Sequence, residues 1–217
     1  MIKECFEFYP VDGVTTNPTI ISKEKSDYCV LLKAIRGIIG DDAQLHVQVT
    51  AANAEGMVKE ALMLREFVGG NFFAKIPVGM QGLKATRELV RQGINVTETA
   101  IFTQQQALIA AKAGASYVAP YVNRLDNVLG DGVKVVEEIV KIFNNFDIKT
   151  KVLAASFKNV EEIHKVALAG GHAVTINPEM FSHLVNHPLT DVAVKNFDSD
   201  WESVYGPLKV EDLLGSK

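Results

Sequence analysis

Short apolar runs alternate with amphipathic segments along most of the chain, and glycine follows nearly every amphipathic segment. Apolar runs rich in branched and aromatic residues predict buried strands, whereas apolar residues spaced three and four apart predict helices. The predicted strands cover residues 12–16, 45–50, 72–78, 95–101, 116–122, 151–156 and 173–177. The predicted helices cover residues 23–39, 53–68, 80–92, 104–113, 130–144 and 159–169, with helical segments from 179 onward and a helix-like piece at 2–8.

This alternation predicts a parallel sheet with helical crossovers. No glycine-rich phosphate loop opens the first strand–helix unit, which disfavours a dinucleotide-binding sheet. Polar residues stand near the C-terminal ends of six strands: Asn17, Gln48, Lys75, Thr99, Tyr121 and Ser156. In a (β/α)8 barrel that end builds the active site. We therefore predict a single (β/α)8 (TIM) barrel over residues 1–217, with a loosely held tail over 206–217.

The number of predicted strands is seven, one fewer than this barrel requires. The helix-like piece at residues 2–8 has no strand before it. Seven strands leave a gap with two unpaired strand edges. We expect the barrel to lack its first strand and to be less stable for it. We therefore predict that either the true start lies upstream or the chain is a damaged copy.

The amino-acid composition excludes several classes of function. Of the 217 residues, 47% are hydrophobic and 22% charged, which is typical of a globular protein. The net charge is −4 and the sequence has no basic run, so it does not indicate a surface that binds nucleic acid. The cysteines, Cys5 and Cys29, lack metal-ligand spacing and are expected to be reduced thiols. No signal peptide or apolar run of about 18 residues is visible, so we expect a cytoplasmic protein without a membrane partner.

The run FFAKIPV at residues 72–78 places Lys75 in a strand that is otherwise apolar. Burial disfavours the ammonium form, and a neutral lysine amine is the nucleophile of Schiff-base chemistry. The alternatives are that Lys75 reaches solvent from a strand end or pairs with a carboxylate.

Three other features have simpler interpretations. Glu98 has opposite strand parity to Thr99, so its side chain is predicted to face the helices. His46 is interpreted as a hydrogen-bonded filler near Gln48 rather than a catalytic base. His183 and His187 are four residues apart, but no third ligand completes a site, so no metal or other cofactor is expected.

Four segments together resemble the small-subunit transaldolase family, and most closely its fructose-6-phosphate aldolase branch. They are GVTTNPTI (13–20), AKIPV (74–78), YVAPYVNR (117–124) and LAASFK (153–158), and the similarity runs from about Gly13 to about Tyr205. The resemblance implies a (β/α)8 barrel and class I aldol chemistry without a metal. It also implies a homo-oligomer, a pentamer or a decamer of two stacked rings.

The resemblance assigns roles to residues at the strand ends. Lys75 is the Schiff-base lysine and Asn17 contacts the bound ketose. Gln48 holds a water molecule that Thr99 and Tyr121 position. Arg124 and Ser156 bind the phosphate end, with Lys158 a weaker candidate. Four of these residues have a structural alternative: a turn residue (Asn17), a strand filler (Thr99), a core ring (Tyr121) or a surface arginine (Arg124). The family's first-strand aspartate has no counterpart by motif.

The resulting hypothesis is an aldolase that cleaves or forms fructose 6-phosphate from dihydroxyacetone and glyceraldehyde 3-phosphate. The transferase branch of the family tends to carry glutamate in place of Gln48 and phenylalanine in place of Tyr121, which favours the aldolase. The first alternative is a transaldolase that passes the dihydroxyacetone unit between sugar phosphates. The second is an inactive subunit that assembles with active relatives.

Overall fold

A computed structural model of the chain describes residues 1–215. The chain divides into two compact units, Met1–Pro178 and Glu179–Lys217. The strands of the first unit are β1 (Gly13–Thr15), β2 (Gln44–Gln48), β3 (Phe72–Pro77), β4 (Asn95–Ile101), β5 (Tyr117–Pro120), β6 (Lys151–Ala155) and β7 (Ala173–Thr175). Its helices are α1 (Ile2–Phe8), α2 (Pro18–Lys23), α3 (Tyr28–Ile39), α4 (Ala54–Val68), α5 (Met80–Arg91), α6 (Gln104–Lys112), α7 (Val122–Asp126), α8 (Gly132–Asn145) and α9 (Val160–Leu168).

The seven strands form one parallel sheet in the order of the chain, β1 to β7. The first and last strands come together through side chains, since the hydroxyl oxygens of Thr15 and Thr175 are 2.8 Å apart. The sheet is therefore a nearly closed barrel with helices around it. Residues 1–215 contain no eighth strand. The predicted (β/α)8 architecture lacking one strand is confirmed.

Two short helices were not predicted. The segment predicted as one helix over 23–39 is wrong at its start, because α2 ends at Lys23 and α3 begins at Tyr28. Asp27 caps α3, its Oδ1 accepting a hydrogen bond from the Val30 amide at 2.9 Å. The other unpredicted helix is α7, which follows β5 directly. Helices this short contain too few residues to show a periodic apolar face.

Arg36 fixes the entry of two strands into the barrel. It lies on α3 and is buried. Its guanidinium donates to four carbonyl oxygens, those of Gly40 (2.7 Å), Ala43 (2.9 Å), Gly69 (3.1 Å) and Asn71 (3.3 Å). These carbonyls belong to the connections that lead into β2 and β3, so one side chain holds both strands at their N-terminal ends.

Glu98 points away from the barrel interior, as its parity predicted. It is fully buried between β4 and α5, where the Thr86 hydroxyl donates to Oε1 at 2.6 Å. Among the described residues, none hydrogen-bonds to Oε2. Burial raises the pKa of Glu98 from 4.5 to about 7, although the Thr86 hydrogen bond acts in the opposite direction.

The second unit consists of three helices, α10 (Met180–Val185), α11 (Pro188–Tyr205) and α12 (Val210–Gly215). The Trp201 indole donates to the Leu208 carbonyl at 2.7 Å and packs on Tyr205, with ring centroids 4.6 Å apart. Residues 216 and 217 of the predicted tail lie outside the described residues. The loose tail and the single-barrel organisation stay predictions. Within residues 1–215, no helix has the length and apolar character that crossing a bilayer requires.

Replacing Glu98 with glutamine should change how stability depends on pH. In the native protein the carboxyl is protonated in both the folded and the unfolded chain below about pH 4.5. Between pH 4.5 and 7 only the unfolded chain ionises, so the free energy of unfolding falls, and above about pH 7 the loss is complete. The Glu98→Gln variant should lack this loss, which is on the order of 3 kcal/mol.

Urea unfolding at pH 5, 6, 7 and 8 would measure the effect. The half-buried Glu88, also on α5, supplies the matched control, Glu88→Gln, which should follow the native profile. Parallel pH profiles for native protein and Glu98→Gln would contradict the prediction.

Candidate active site

Strand β3 brings Lys75 into the barrel interior. Side chains alternate along a strand, so Lys75 shares the inward face with Phe73. Lys75 is only 5% exposed, and its Nζ donates to the Thr16 carbonyl oxygen at 3.0 Å. No ion pair among residues 1–215 includes Lys75. The structure therefore has neither a lysine that reaches solvent nor a lysine–carboxylate pair at this position.

The environment of Lys75 favours its neutral form. Burial, and to a smaller extent the positive charge of Arg124, lower the pKa of Lys75 from 10.5 to about 8. About one amine in ten is then uncharged at pH 7, against fewer than about one in a thousand for an exposed lysine. An uncharged amine can attack a carbonyl carbon.

Neutral polar side chains flank Lys75 on both neighbouring strands. Gln48 on β2 and Thr97 on β4 lie directly opposite it in the strand register. Such groups can hydrogen-bond to reaction intermediates without supplying the negative charge that would raise the pKa of the lysine. The position of Gln48 is thus suited to the water-holding role that the sequence predicted.

Two hydroxyl groups meet at the ends of β4 and β5. Thr99 is 1% exposed, and its Oγ1 lies 3.4 Å from the Tyr121 hydroxyl oxygen. The ladder between these strands is irregular from Glu98 to Ile101, and Ala100 has a left-handed φ of +57°. Thr99 therefore lies inside the irregular stretch of the β4–β5 ladder, while on its other side it still pairs with Pro77 of β3. The paired hydroxyls form a polar spot that can hold a water molecule.

Asn17 acts as a helix cap. Its Oδ1 accepts a hydrogen bond from the Ile20 amide at 2.8 Å, at the start of α2. The structural alternative to a ligand role is therefore present for its carbonyl oxygen. Asn17 directly follows Thr16, whose carbonyl accepts from Lys75, so its backbone lies beside the amine. A contact of its Nδ2 with a ketose stays a prediction.

Asn123, which directly precedes Arg124 in the chain, connects α7 to Ser156. The Asn123 amide donates to the Ser156 carbonyl at 2.8 Å. Ser156 itself has a left-handed φ of +67°. The exposed Arg124 lies over the Tyr121 ring, with Cζ 4.8 Å from the centroid. Lys158 is also exposed. Their binding of phosphate stays a prediction.

A network of hydrogen-bonded side chains lies in the barrel next to Lys75, and His46 is at its centre. His46 is 2% exposed and stacks on Phe73, with ring centroids 4.4 Å apart. Its Nδ1 lies 2.8 Å from the Thr97 hydroxyl and its Nε2 lies 3.0 Å from Gln44 Oε1. The Gln44 amide donates to the Tyr117 hydroxyl at 3.3 Å.

These contacts determine the tautomer of His46. Burial, and then the charge of Lys75, lower the pKa of His46 to about 3, so the ring is neutral. Because Gln44 Oε1 can only accept, Nε2 carries the proton and Nδ1 accepts from the Thr97 hydroxyl. His46 is thus the hydrogen-bonded filler that the sequence predicted. Gln44 and Tyr117 were not identified as its partners.

The described residues contain no group of three or more histidine, cysteine, aspartate or glutamate side chains arranged to hold a metal ion. His183 lies in α10, whereas His187 precedes α11 and accepts at Nδ1 from the Leu189 amide at 3.2 Å. The two histidines therefore do not share a helix.

The known proteins that are similar to this chain agree on one family. A family model described as Transaldolase/Fructose-6-phosphate aldolase matches residues 1–208. A protein of Geotalea uraniireducens (strain Rf4) is 42% identical over 203 residues, which is 94% of each chain. Another, of Methanococcus maripaludis (strain C7 / ATCC BAA-1331), is 43% identical over 204 residues, 93% of each chain. A third, of Thermoanaerobacter sp. (strain X514), is 40% identical over 200 residues, 92% of this chain and 91% of its own. All three are named probable transaldolase.

The reactivity of Lys75 should follow its lowered pKa. Reductive methylation with formaldehyde and cyanoborohydride, followed by peptide mass spectrometry, reports the free amine at each lysine. The Lys75 rate should rise about tenfold per pH unit and level off above about pH 8. In Arg124→Gln the Lys75 midpoint should move upward by less than about one unit, because a repelling charge is lost.

The exposed Arg91 offers a matched control, since Arg91→Gln removes a guanidinium that is not a cause of the Lys75 shift. A Lys75 midpoint near pH 10 in the native protein would contradict the burial argument.

Proposed function

The chain belongs to the transaldolase/fructose-6-phosphate aldolase family, and from this premise we propose that it is a Schiff-base enzyme acting on the dihydroxyacetone unit of a sugar phosphate. The observation that carries the proposal is the buried Lys75 amine, which has no carboxylate partner among residues 1–215 and a pKa of about 8. Sugar phosphates are the substrate class that fits the family.

The first step forms a covalent bond to the substrate. The uncharged Nζ of Lys75 attacks the C2 carbonyl carbon of fructose 6-phosphate, and the carbonyl oxygen takes up a proton to give a carbinolamine. Loss of that oxygen as water leaves an iminium ion. Gln48, Thr99 and Tyr121 supply neutral donors and acceptors for the water and the protons. No carboxylate among residues 1–215 forms an ion pair with Lys75, so the electron-withdrawing effect of an iminium at this position on the substrate would be retained.

The second step breaks the sugar. The C4 hydroxyl gives up its proton, its oxygen becomes the aldehyde oxygen, and the electrons of the C3–C4 bond move to the iminium. The products are glyceraldehyde 3-phosphate and an enamine of dihydroxyacetone on Lys75. Since the family aspartate has no counterpart by motif, we assign this proton to the water held by Thr99 and Tyr121. Protonation of the enamine at C3 and hydrolysis then free dihydroxyacetone.

The branch of the family is a second question. Gln48 and Tyr121 favour the aldolase, because the Tyr121 hydroxyl can hold the water that protonates the enamine. The second candidate is a transaldolase, in which the enamine attacks the aldehyde of another sugar phosphate. The relatives named probable transaldolase favour it. Arg124 and Ser156 are proposed to bind the phosphate in both cases. Assembly into a pentamer or decamer and a cytoplasmic location stay predictions.

Borohydride trapping tests the covalent step. With dihydroxyacetone or fructose 6-phosphate, peptide mass spectrometry should find the reduced adduct on Lys75. Lys75→Met should lose the adduct and at least about 10³-fold of activity, because the nucleophile is gone. The matched control Lys158→Met should keep the adduct. Absence of any adduct on native protein would reject Schiff-base chemistry and favour the inactive-subunit interpretation.

Product analysis with and without erythrose 4-phosphate separates aldolase from transaldolase. An aldolase should release free dihydroxyacetone without an acceptor sugar. In Tyr121→Phe this release should fall about tenfold, because a proton-transfer hydroxyl is lost, while transfer to erythrose 4-phosphate is retained. The exposed Tyr28 supplies the control Tyr28→Phe, with an unchanged ratio. Turnover that requires the acceptor in the native protein would establish the transaldolase instead.

A further inference from the structure

Glu162, on the first turn of α9, joins two loops that carry candidate phosphate-binding residues. Its Oε1 accepts from Asn123 Nδ2 at 3.2 Å and from Asn159 Nδ2 at 3.0 Å. Its Oε2 accepts from the backbone amide of Lys158 at 2.8 Å. One half-buried carboxylate therefore connects α7, which also contains Arg124, to the turn that follows Ser156.

These contacts exceed what a helix cap needs. Asn159 already caps α9, its Oδ1 accepting from the Glu162 amide at 2.9 Å. A glutamate at this position of a capping box would accept from the amide of the capping residue itself. Here it accepts from the residue before the cap and from Asn123, which lies in another helix. The contact with Asn123 therefore links the two loops and does not stabilise the start of α9.

The backbone at Ser156 requires such support. A left-handed serine is strained and persists only where surrounding contacts hold it. The Ser156 carbonyl is held by the Asn123 amide, and Asn123 is in turn held by Glu162. Glu162 thus acts on Ser156 from both sides, through Asn123 and through Lys158.

We propose that Glu162 is a positioning residue that fixes Arg124 and Ser156 relative to each other and thereby sets the affinity for the phosphate end of the substrate. The inference rests on the proposed function. Because Glu162 is negatively charged, the sign of its effect on phosphate affinity distinguishes positioning from charge repulsion. A carboxylate near a bound phosphate repels it, so an effect of charge alone would make removal of Glu162 improve binding. Positioning predicts the opposite sign.

The test compares Glu162→Ala, Glu162→Gln and the matched control Glu161→Ala, whose exposed carboxylate pairs only with Lys165 among the described residues. In Glu162→Ala the KM for glyceraldehyde 3-phosphate should rise about tenfold, with a smaller rise in Glu162→Gln, which keeps one acceptor oxygen. The KM for unphosphorylated glyceraldehyde and the trapping of dihydroxyacetone on Lys75 should not change. Glu161→Ala should match the native protein in every measurement.

Three results would overturn the proposal. A lower KM for the phosphorylated substrate would show that Glu162 acts by repulsion. An unchanged KM would show that it does not position the loops. Equal losses for both aldehydes, with a lower urea midpoint, would show a general effect on folding.

Failure of the proposed function has a separate signature, the absence of a dihydroxyacetone adduct on native protein. Binding of glycerol 3-phosphate, measured by calorimetry, then decides the inference by itself. Binding about tenfold weaker in Glu162→Ala than in native protein supports it, and equal binding overturns it.

Discussion

The barrel interior has to hold the Lys75 amine without placing a carboxylate beside it. Burial lowers the pKa of Lys75, and the same burial keeps His46 neutral next to it. The polar groups identified around the amine are carbonyl, amide, hydroxyl and neutral imidazole groups, together with the positively charged Arg124. A single inward carboxylate would form a buried ion pair and return the amine to its protonated form. The reactivity proposed for Lys75 therefore depends on which side chains the strands direct inward.

Strand parity enforces that selection, as Glu98 illustrates. Its carboxylate lies on the strand next to Lys75, in register with Ile76, one residue away. The sheet separates the two groups: Lys75 faces the interior and Glu98 faces Thr86 on α5. Desolvation pushes both toward their neutral forms. A shift of β4 by one residue would turn the carboxylate inward. The strand register is thus part of the chemistry. The Arg36 contacts hold the entries of β3, the strand that carries Lys75, and of its neighbour β2.

The alternation of strands and helices was readable from the sequence because each long element has its own apolar period. The resemblance set Lys75 and Thr99 inward, and strand parity then set Glu98 outward. What the sequence could not show is contact between distant positions: the chain from Thr97 through His46 and Gln44 joins β4 to β2 and requires their register. The cap role of Asn17 was also ambiguous, since an asparagine before proline suits a turn, a helix start or a ligand contact.

The candidate site lies where strands end, and there the backbone is held from outside the sheet. In three of the strand-to-helix turns, a side chain from the following helix accepts amide hydrogens of the turn. Glu60 accepts from Thr50 and Ala51, and Gln106 accepts from Phe102 and Thr103. Glu162 does the same for Lys158. These turns follow the strand ends at which Gln48, Thr99 and Ser156 lie. Each of the three helices therefore helps to position a candidate site residue that precedes it in the chain. Glu162 also accepts from Asn123 in α7, so the turn that it holds is coupled to the neighbouring one. The backbone at the candidate site therefore depends on helix residues that are not themselves candidate site residues.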